Sequence, residues 1–394
     1  MLIIYTGGTI GMKPAEDDVS GSVLRPASGY IERMLQTVPD FHHPDVPTYD
    51  VLEWDTPLDS SDFSPDNWVA LADQIHRHYY EYDGFVILHG TDTMAYTASA
   101  LSFMLENLGK AVIITGAMIP LAFPVSDAKR NLIVSLMCAA HLDIPEVCIF
   151  FSNQLLRGNR AKKIDPGTVN PFHSPNFPPL AEMGVRIRLK RELILQAPRR
   201  TFGTHRDLFG NIAVMVLVPG FDDLAIEAFI NTSTPAKPAV LVLMLYGAGN
   251  APSKKRTFIE ALRRGVAEKG AVIVILSQCL YGSVDMSQYA TGSILQGLGV
   301  IDGKDMTTEA AVTKLAYLLG KGLRGSVLKQ AMESNLRGEL TTRNTQEYTS
   351  GTTHGAGSTS AHRAAAADGI AQEMNAMINA HRTTSSSAIA ASKL

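Results

Sequence analysis

Two short segments carry the residues best suited to chemistry. Tyr5-Thr6-Gly7-Gly8-Thr9-Ile10-Gly11 follows the apolar run Met1 to Ile4, and His89-Gly90-Thr91-Asp92-Thr93 follows Gly84 to Leu88. Each run reads as a buried strand, and each segment puts glycine and threonine where the strand gives way to a loop. Ligands of open α/β sheets bind beyond the carboxyl ends of the strands. Two threonine-bearing loops at such ends point to covalent chemistry by a hydroxyl group. A threonine hydroxyl is a weak nucleophile until a neighbouring base takes its proton. Thr91 and Asp92 form a second constellation with a lysine, which a carboxylate can orient and which desolvation makes a better base. Lys162 and Lys163 adjoin, and spacing alone does not choose between them.

A nucleotide-binding turn is the other reading of the first loop. Gly7-Gly8-Thr9-Ile10-Gly11 lacks the GxGxxG spacing, and no acidic residue follows at the end of a second strand. Its glycines instead allow the backbone to approach a small ligand closely.

These loops need a scaffold, and the chain alternates strand-like with helix-like runs. Met1–Thr6, Phe85–Gly90, Ala111–Gly116 and Val147–Ser152 are short and apolar, while 68–80, 93–108 and 132–142 carry helical apolar spacing. The pattern predicts an α/β fold with a mostly parallel sheet covered by helices. A polar, basic stretch over 196–211 reads as a linker. A second α/β unit follows, with strands at Ile212–Val218, Ala239–Leu245 and Ala271–Leu276 and helices at 256–269 and 307–319. The expected organisation is therefore two α/β domains, 1–195 and 212–340, and a tail over 341–394. The tail is rich in Ser, Thr and Ala, has Tyr348 as its single aromatic, and is expected to be disordered, with at most a transient helix over 364–380.

Composition narrows the function classes. The chain has 394 residues, 45% apolar and 19% charged, with a net charge of −3. That describes a globular protein of two full cores and gives no basic patch for nucleic acid. Its 11 histidines lack metal-ligand spacing, so neither a metal nor another cofactor is expected. Cys138, Cys148 and Cys279 are an odd, scattered set, which predicts free thiols in a reducing compartment. No leader is expected before the first strand, and no apolar run is long enough for a membrane span.

With further segments, the two loops resemble the bacterial type I, or cytoplasmic, L-asparaginase family over residues 1 to about 340. The segments are Asp59-Ser60-Ser61-Asp62, Thr115-Gly116-Ala117, Arg157-Gly158-Asn159-Arg160, Ser174-Pro175-Asn176 and Asn335-Leu336-Arg337-Gly338-Glu339-Leu340. The resemblance implies hydrolysis of L-asparagine to L-aspartate and ammonia, with Thr9 attacking the side-chain amide carbon to form an acyl-enzyme. It implies Thr91, Asp92 and Lys163 as the second catalytic group, Lys163 being chosen over Lys162 by the Arg-Gly-Asn-Arg segment. Asp59, Ser60 and Ser61 would hold the substrate with Thr91 and Asp92, and Ala117 would offer its main chain. Asp59 or Asp92 takes the substrate ammonium, and serine hydroxyls and backbone N–H groups take its carboxylate. Helix capping is a compatible reading of the Ser61-Asp62 and Ser64-Pro65 pairs. Homodimers or homotetramers are implied, with Asn250 and Glu309 reaching a partner's site.

There are departures. Family members carry a tyrosine in the loop after the Gly-Gly-Thr motif that helps activate the nucleophile. Here Leu24 stands near that place, the loop carries an insertion, and Tyr30 lies just beyond. Some type I enzymes also bind asparagine at a regulatory site in the C-terminal domain. Cys279 lies in a similar Ser-Gln-Cys segment, but Met244 replaces an expected arginine and Lys162 an expected threonine. A methionine cannot hold a carboxylate, so allosteric activation is not expected. A glutaminase or a tRNA-dependent amidotransferase subunit shares these motifs, though the latter would carry an additional N-terminal domain. The last residues, Ser392-Lys393-Leu394, match a receptor-read peroxisomal address, which sets a peroxisome-type organelle in a eukaryotic host against the cytosol.

Overall fold

β1 (Leu2–Gly7) is buried on both faces, and the alternation of its side chains divides the first core in two. The structure, a computed structural model, describes residues 1–14, 24–185, 187–234, 237–287 and 290–342. Around β1 stand β2 (Asp50–Leu58), β3 (Phe85–Leu88), β4 (Val112–Thr115), β5 (Val147–Phe151), β6 (Gln154–Arg157), β7 (Ala181–Met183) and β8 (Ile187–Leu189). The sheet runs β8-β7-β6-β5-β4-β3-β1-β2. β2 through β5 are parallel along that order, and β6, β7 and β8 close one side antiparallel.

Leu2 and Ile4 face α2 (Pro65–His78) and α3 (Met94–Met104), whereas Ile3 and Tyr5 face α1 (Tyr30–Thr37) and α4 (Ala128–His141). Successive strand residues point to opposite faces, so one apolar run serves both layers. A second sheet follows: β9 (Ile212–Val216), β10 (Val240–Leu245), β11 (Val272–Ser277) and β12 (Ile301–Asp302), all parallel. α5 (Asp223–Asn231), α6 (Arg256–Lys269) and α7 (Ala290–Gly297) serve one face, α8 (Thr308–Gly320) and α9 (Gly325–Glu333) the other. The α/β architecture with mostly parallel sheets is the one expected.

Two local expectations are changed. The helix expected over 93–108 stops at Met104, because Leu105–Glu106 leaves it to pair antiparallel with Gly203–Thr204. The same pairing ties the 196–211 stretch to the body. Phe202 stacks on Tyr79 at a 3.6 Å centroid distance, and Phe209 N–H reaches Ala316 O at 2.9 Å. β2, with the mixed sequence DVLEWDTPL, was not among the expected strands. The expectations for the tail beyond residue 342 fall outside the described residues.

Buried charges fasten the end of this body to the first sheet. Arg157 pairs with Glu146 at 2.5 Å, and Arg160 with Asp305 at 2.8 Å while its Nε donates to Gly338 O. Asn159 Nδ2 donates to Arg337 O at 2.9 Å. Lys314, on α8, pairs with Glu339 at 2.5 Å, both with no exposed side-chain surface. Glu339 also accepts the Leu336 and Arg337 N–H groups, and Lys314 donates to Met332 O at 2.8 Å. The lysine and these bonds hold the Glu339 carboxyl below its ordinary range against the opposing effect of burial. Removing one partner of such a pair strands the other charge. Lys314→Met is therefore expected to lose about 3–5 kcal/mol of stability in denaturant unfolding. A loss under about 1 kcal/mol would mean that the pair does not hold this end of the chain.

Candidate active site

Three loops meet where β1, β2 and β3 end, and glycine is what lets them meet. Gly7 has φ +127° and Gly8 φ +83°, the region that side chains disfavour. A Cβ on Gly7 would lie 2.0 Å from Leu58 O, and one on Gly8 2.3 Å from Gly90 N. One on Gly90 would lie 2.6 Å from Ser60 Oγ. Thr9 opens a short 3-10 turn directly after Gly8 and is half-buried. Gly8 N–H donates to Leu58 O at 3.0 Å, and Thr93 Oγ1 to Ser60 O at 2.7 Å. Residues distant in sequence thus approach through bare backbone.

Ser60 is buried, Asp59 and Ser61 exposed. Asp59 Oδ1 accepts the N–H and the hydroxyl of Ser61, both at 2.9 Å, capping the Ser60–Asp62 turn. Ser64 takes the cap of α2, its N–H reaching Asn67 Oδ1 at 2.7 Å. The capping expected of this loop is present. Ala117, beyond β4, is 1% exposed, and its neighbour Gly116 is held by Asn131 Nδ2 on its carbonyl at 3.0 Å.

Lys163 comes to this junction from a two-residue strand, Lys162–Lys163, paired antiparallel with Phe172–His173. Its Nζ lies 2.8 Å from Thr91 Oγ1 and 2.6 Å from Asp92 Oδ1. Strand alternation sends Lys162 the other way, to Glu309 Oε1 at 2.9 Å. Of the two adjoining lysines, Lys163 is the one beside Thr91 and Asp92. A charged lysine only donates, so the Thr91 oxygen accepts and its own hydrogen points elsewhere. Thr91 is buried, while the Asp92 side chain is 66% exposed.

The comparisons agree on one family. A model described as Asparaginase, N-terminal, matches residues 1–195, and one described as Glutaminase/Asparaginase C-terminal domain matches 211–332. The chain belongs to the asparaginase family. It is 46% identical over 344 residues to L-asparaginase 1 of Escherichia coli K12, covering 86% of this chain and 97% of the relative. The crystal structure of L-asparaginase I from Vibrio cholerae superposes with a TM-score of 0.78 at 44% identity, over 86% of this chain and 98% of that one. The thermostable L-asparaginase from Thermococcus kodakarensis gives 0.77 at 32% identity, over 86% and 99%.

Where this asparaginase-family chain departs from the expected pattern, the geometry is informative. Leu24 sits in a short hairpin, Met12–Pro14 with Leu24–Pro26, and residues 15–23 between its arms lie outside the described set. The Tyr30 phenol begins α1 beside Lys13, and burial raises its pKa. Tyr5 Oη lies under the Thr9 turn, 2.0 Å from where a Gly11 Cβ would be. Burial, helped by Glu53, pushes the Tyr5 pKa upward, which leaves it protonated and unable to act as base. Glu309 is 5% exposed and engaged with Lys162 of its own chain, and Met244 Sδ receives Thr308 Oγ1 at 4.0 Å. Asn250 pairs through its backbone with Tyr246 in a tight turn.

His89 opens the Thr91 loop, a place the sequence marked only as part of a motif. It has no exposed surface, and Phe63 covers its ring at 4.3 Å. Burial lowers its pKa to about 4, partly opposed by its bond to Gly90 O. The unfolded histidine, near 6.5, takes up a proton that the folded one refuses. Stability is then full above pH 6.5 and falls as pH drops toward 4, by about 3 kcal/mol from this group. Denaturant unfolding between pH 7 and 4 should show a steeper decline in the wild type than in His89→Asn. Parallel curves would mean that the ring charges freely.

Proposed function

We propose that this protein hydrolyses L-asparagine to L-aspartate and ammonia through a threonyl acyl-enzyme. The single observation that carries the site reading is Lys163 Nζ bonded to both Thr91 Oγ1 and Asp92 Oδ1, at 2.8 and 2.6 Å. The backbone contact of Gly8 with Gly90 brings the Thr9 loop against that group.

In the first step the Thr9 oxygen bonds to the side-chain amide carbon, and the carbon–nitrogen bond breaks. The nitrogen leaves as ammonia with the proton that the Thr9 hydroxyl gives up. In the second step water attacks the ester carbonyl and the Thr9 oxygen departs, recovering a proton from that water. Thr91 relays the proton when Lys163 is neutral, since the hydroxyl then donates to Nζ instead of accepting from it. Asp92 orients Lys163 and, with Asp59, takes the substrate ammonium. Ser60 and Ser61 take the substrate carboxylate, and the main chain at Ala117 takes the amide oxygen. The nearest alternative is glutamine hydrolysis. One methylene is worth about 1–3 kcal/mol, so pocket shape decides. Ammonia release from asparagine and from glutamine across a concentration range separates the two.

The division into domains 1–195 and 212–340 joined by 196–211 is also proposed, on the strength of two separate sheets with their own helices. Homodimers or homotetramers are proposed because the Asp92 side chain leaves the site open on one side, where a partner's Asn250 would close it. Glu309, expected to do the same, is instead buried against Lys162 of its own chain. An intracellular, reducing location is proposed on three unbridged cysteines, Cys138, Cys148 and Cys279. No helix among the described residues is long and apolar enough to cross a membrane. Ser392-Lys393-Leu394 lies outside the described residues and both matched segments, and peroxisomal delivery finds no support in the relatives.

Thr9→Ala and Thr91→Val are expected to abolish ammonia release while thermal unfolding stays unchanged. Retention of more than about a tenth of the wild-type kcat, a barrier change near 1.4 kcal/mol, by Thr9→Ala would overturn the nucleophile. Asparagine saturation should be hyperbolic, because Lys162 is occupied by Glu309 and Met244 offers no group for a carboxylate. A Hill coefficient of about 2 would reveal a second site held by other residues.

A further inference from the structure

Between the tryptophan of one helix and the loop of Thr91 runs a chain of hydrogen bonds whose directions are fixed at both ends. Trp68 Nε1, on α2, can only donate, and it reaches Thr97 Oγ1 on α3 at 3.1 Å. The Thr97 hydrogen is therefore free for His89 Nε2, 2.9 Å away. At the other end His89 Nδ1 lies 2.6 Å from Gly90 O, and a carbonyl can only accept. The ring proton thus sits on Nδ1, and Nε2 must accept.

We propose that His89 is a positioning residue that pins the Gly90 carbonyl and thereby sets the spacing of the Thr91 loop against the Thr9 loop. Gly90 is the contact point of the two loops, because its N and Cα lie where any Gly8 side chain would be. Rotation of that peptide moves Thr91, which follows directly, relative to Lys163. His89 itself has its two ring nitrogens committed to Gly90 and Thr97, so it acts through Gly90 and takes no part in bond making. The low-pKa burial of the ring keeps it neutral, and a second ring proton would face a Thr97 oxygen already turned to donate. The inference rests on Thr91 being catalytic as proposed above.

Asparagine and glutamine at position 89 separate the two ends of the ring. An asparagine amide nitrogen falls where Nδ1 stands and keeps the donor to Gly90 O, whereas a glutamine amide reaches where Nε2 stands and leaves that carbonyl bare. His89→Gln is expected to lower kcat for L-asparagine by about tenfold or more with KM little changed, while His89→Asn stays within about threefold of wild type. Equal losses in the two variants, or an unimpaired His89→Gln, would overturn the proposal. If neither variant folds, the far end decides. Thr97→Ser keeps the hydroxyl and should retain kcat, and Thr97→Val leaves Nε2 without its partner, so that the ring is no longer held against Gly90 O, and should lose it. Equal kcat in the two Thr97 variants would again refute the chain. Thr91→Val, assayed alongside, distinguishes the failures: activity there removes the catalytic reading itself, whereas an inactive Thr91→Val with an unimpaired His89→Gln removes only the positioning role.

Discussion

The closure of residues 335–341 onto Arg157-Gly158-Asn159-Arg160 is the constraint on which the rest depends. It spends several buried charges and amides on one junction: Arg160 with Asp305 and Gly338 O, Asn159 with Arg337 O, and Lys314 with Glu339. Buried pairs of this kind are poor sources of net stability, but they punish any alternative arrangement heavily. Two residues past Arg160 the chain enters the short strand that carries Lys163. The pairing of that strand with Phe172–His173 then directs the Lys163 side chain to Thr91 and Asp92.

The fold was legible where physics acts locally. Strands buried on both faces read as unbroken apolar runs, so β1, β3, β4 and β5 stand out in the sequence. β2 did not, because it lies at the sheet edge and mixes Asp50, Glu53 and Asp55 with its apolar residues. The end of α3 was set by a partner a hundred residues away, Gly203–Thr204, which no local pattern announces.

The site was legible as residue types and hidden as contacts. Thr9, Thr91 and Asp92 stand out at strand ends. Lys163 could not be told from Lys162 by spacing, yet a two-residue strand separates them onto opposite sides. The glycines of the first loop read as room for a small ligand, whereas the requirement at Gly8 comes from Gly90, and that at Gly90 from Ser60. His89 looked like motif filler, since a fully committed buried ring leaves no trace in spacing.

The closing segment also gives the enzyme a birth order. Lys163 leaves the ribosome long before residues 335–341 exist, and synthesis at about 5–20 residues per second separates them by roughly ten to thirty seconds. Throughout that interval Asn159 lacks the Arg337 carbonyl and Arg160 the Gly338 carbonyl that orient them, and for most of it Arg160 also lacks Asp305. A nascent chain can hold the Thr9 loop and the whole first sheet and still be without this junction. The closed junction therefore arrives late and all at once, as a property of the finished polypeptide and not of its first half.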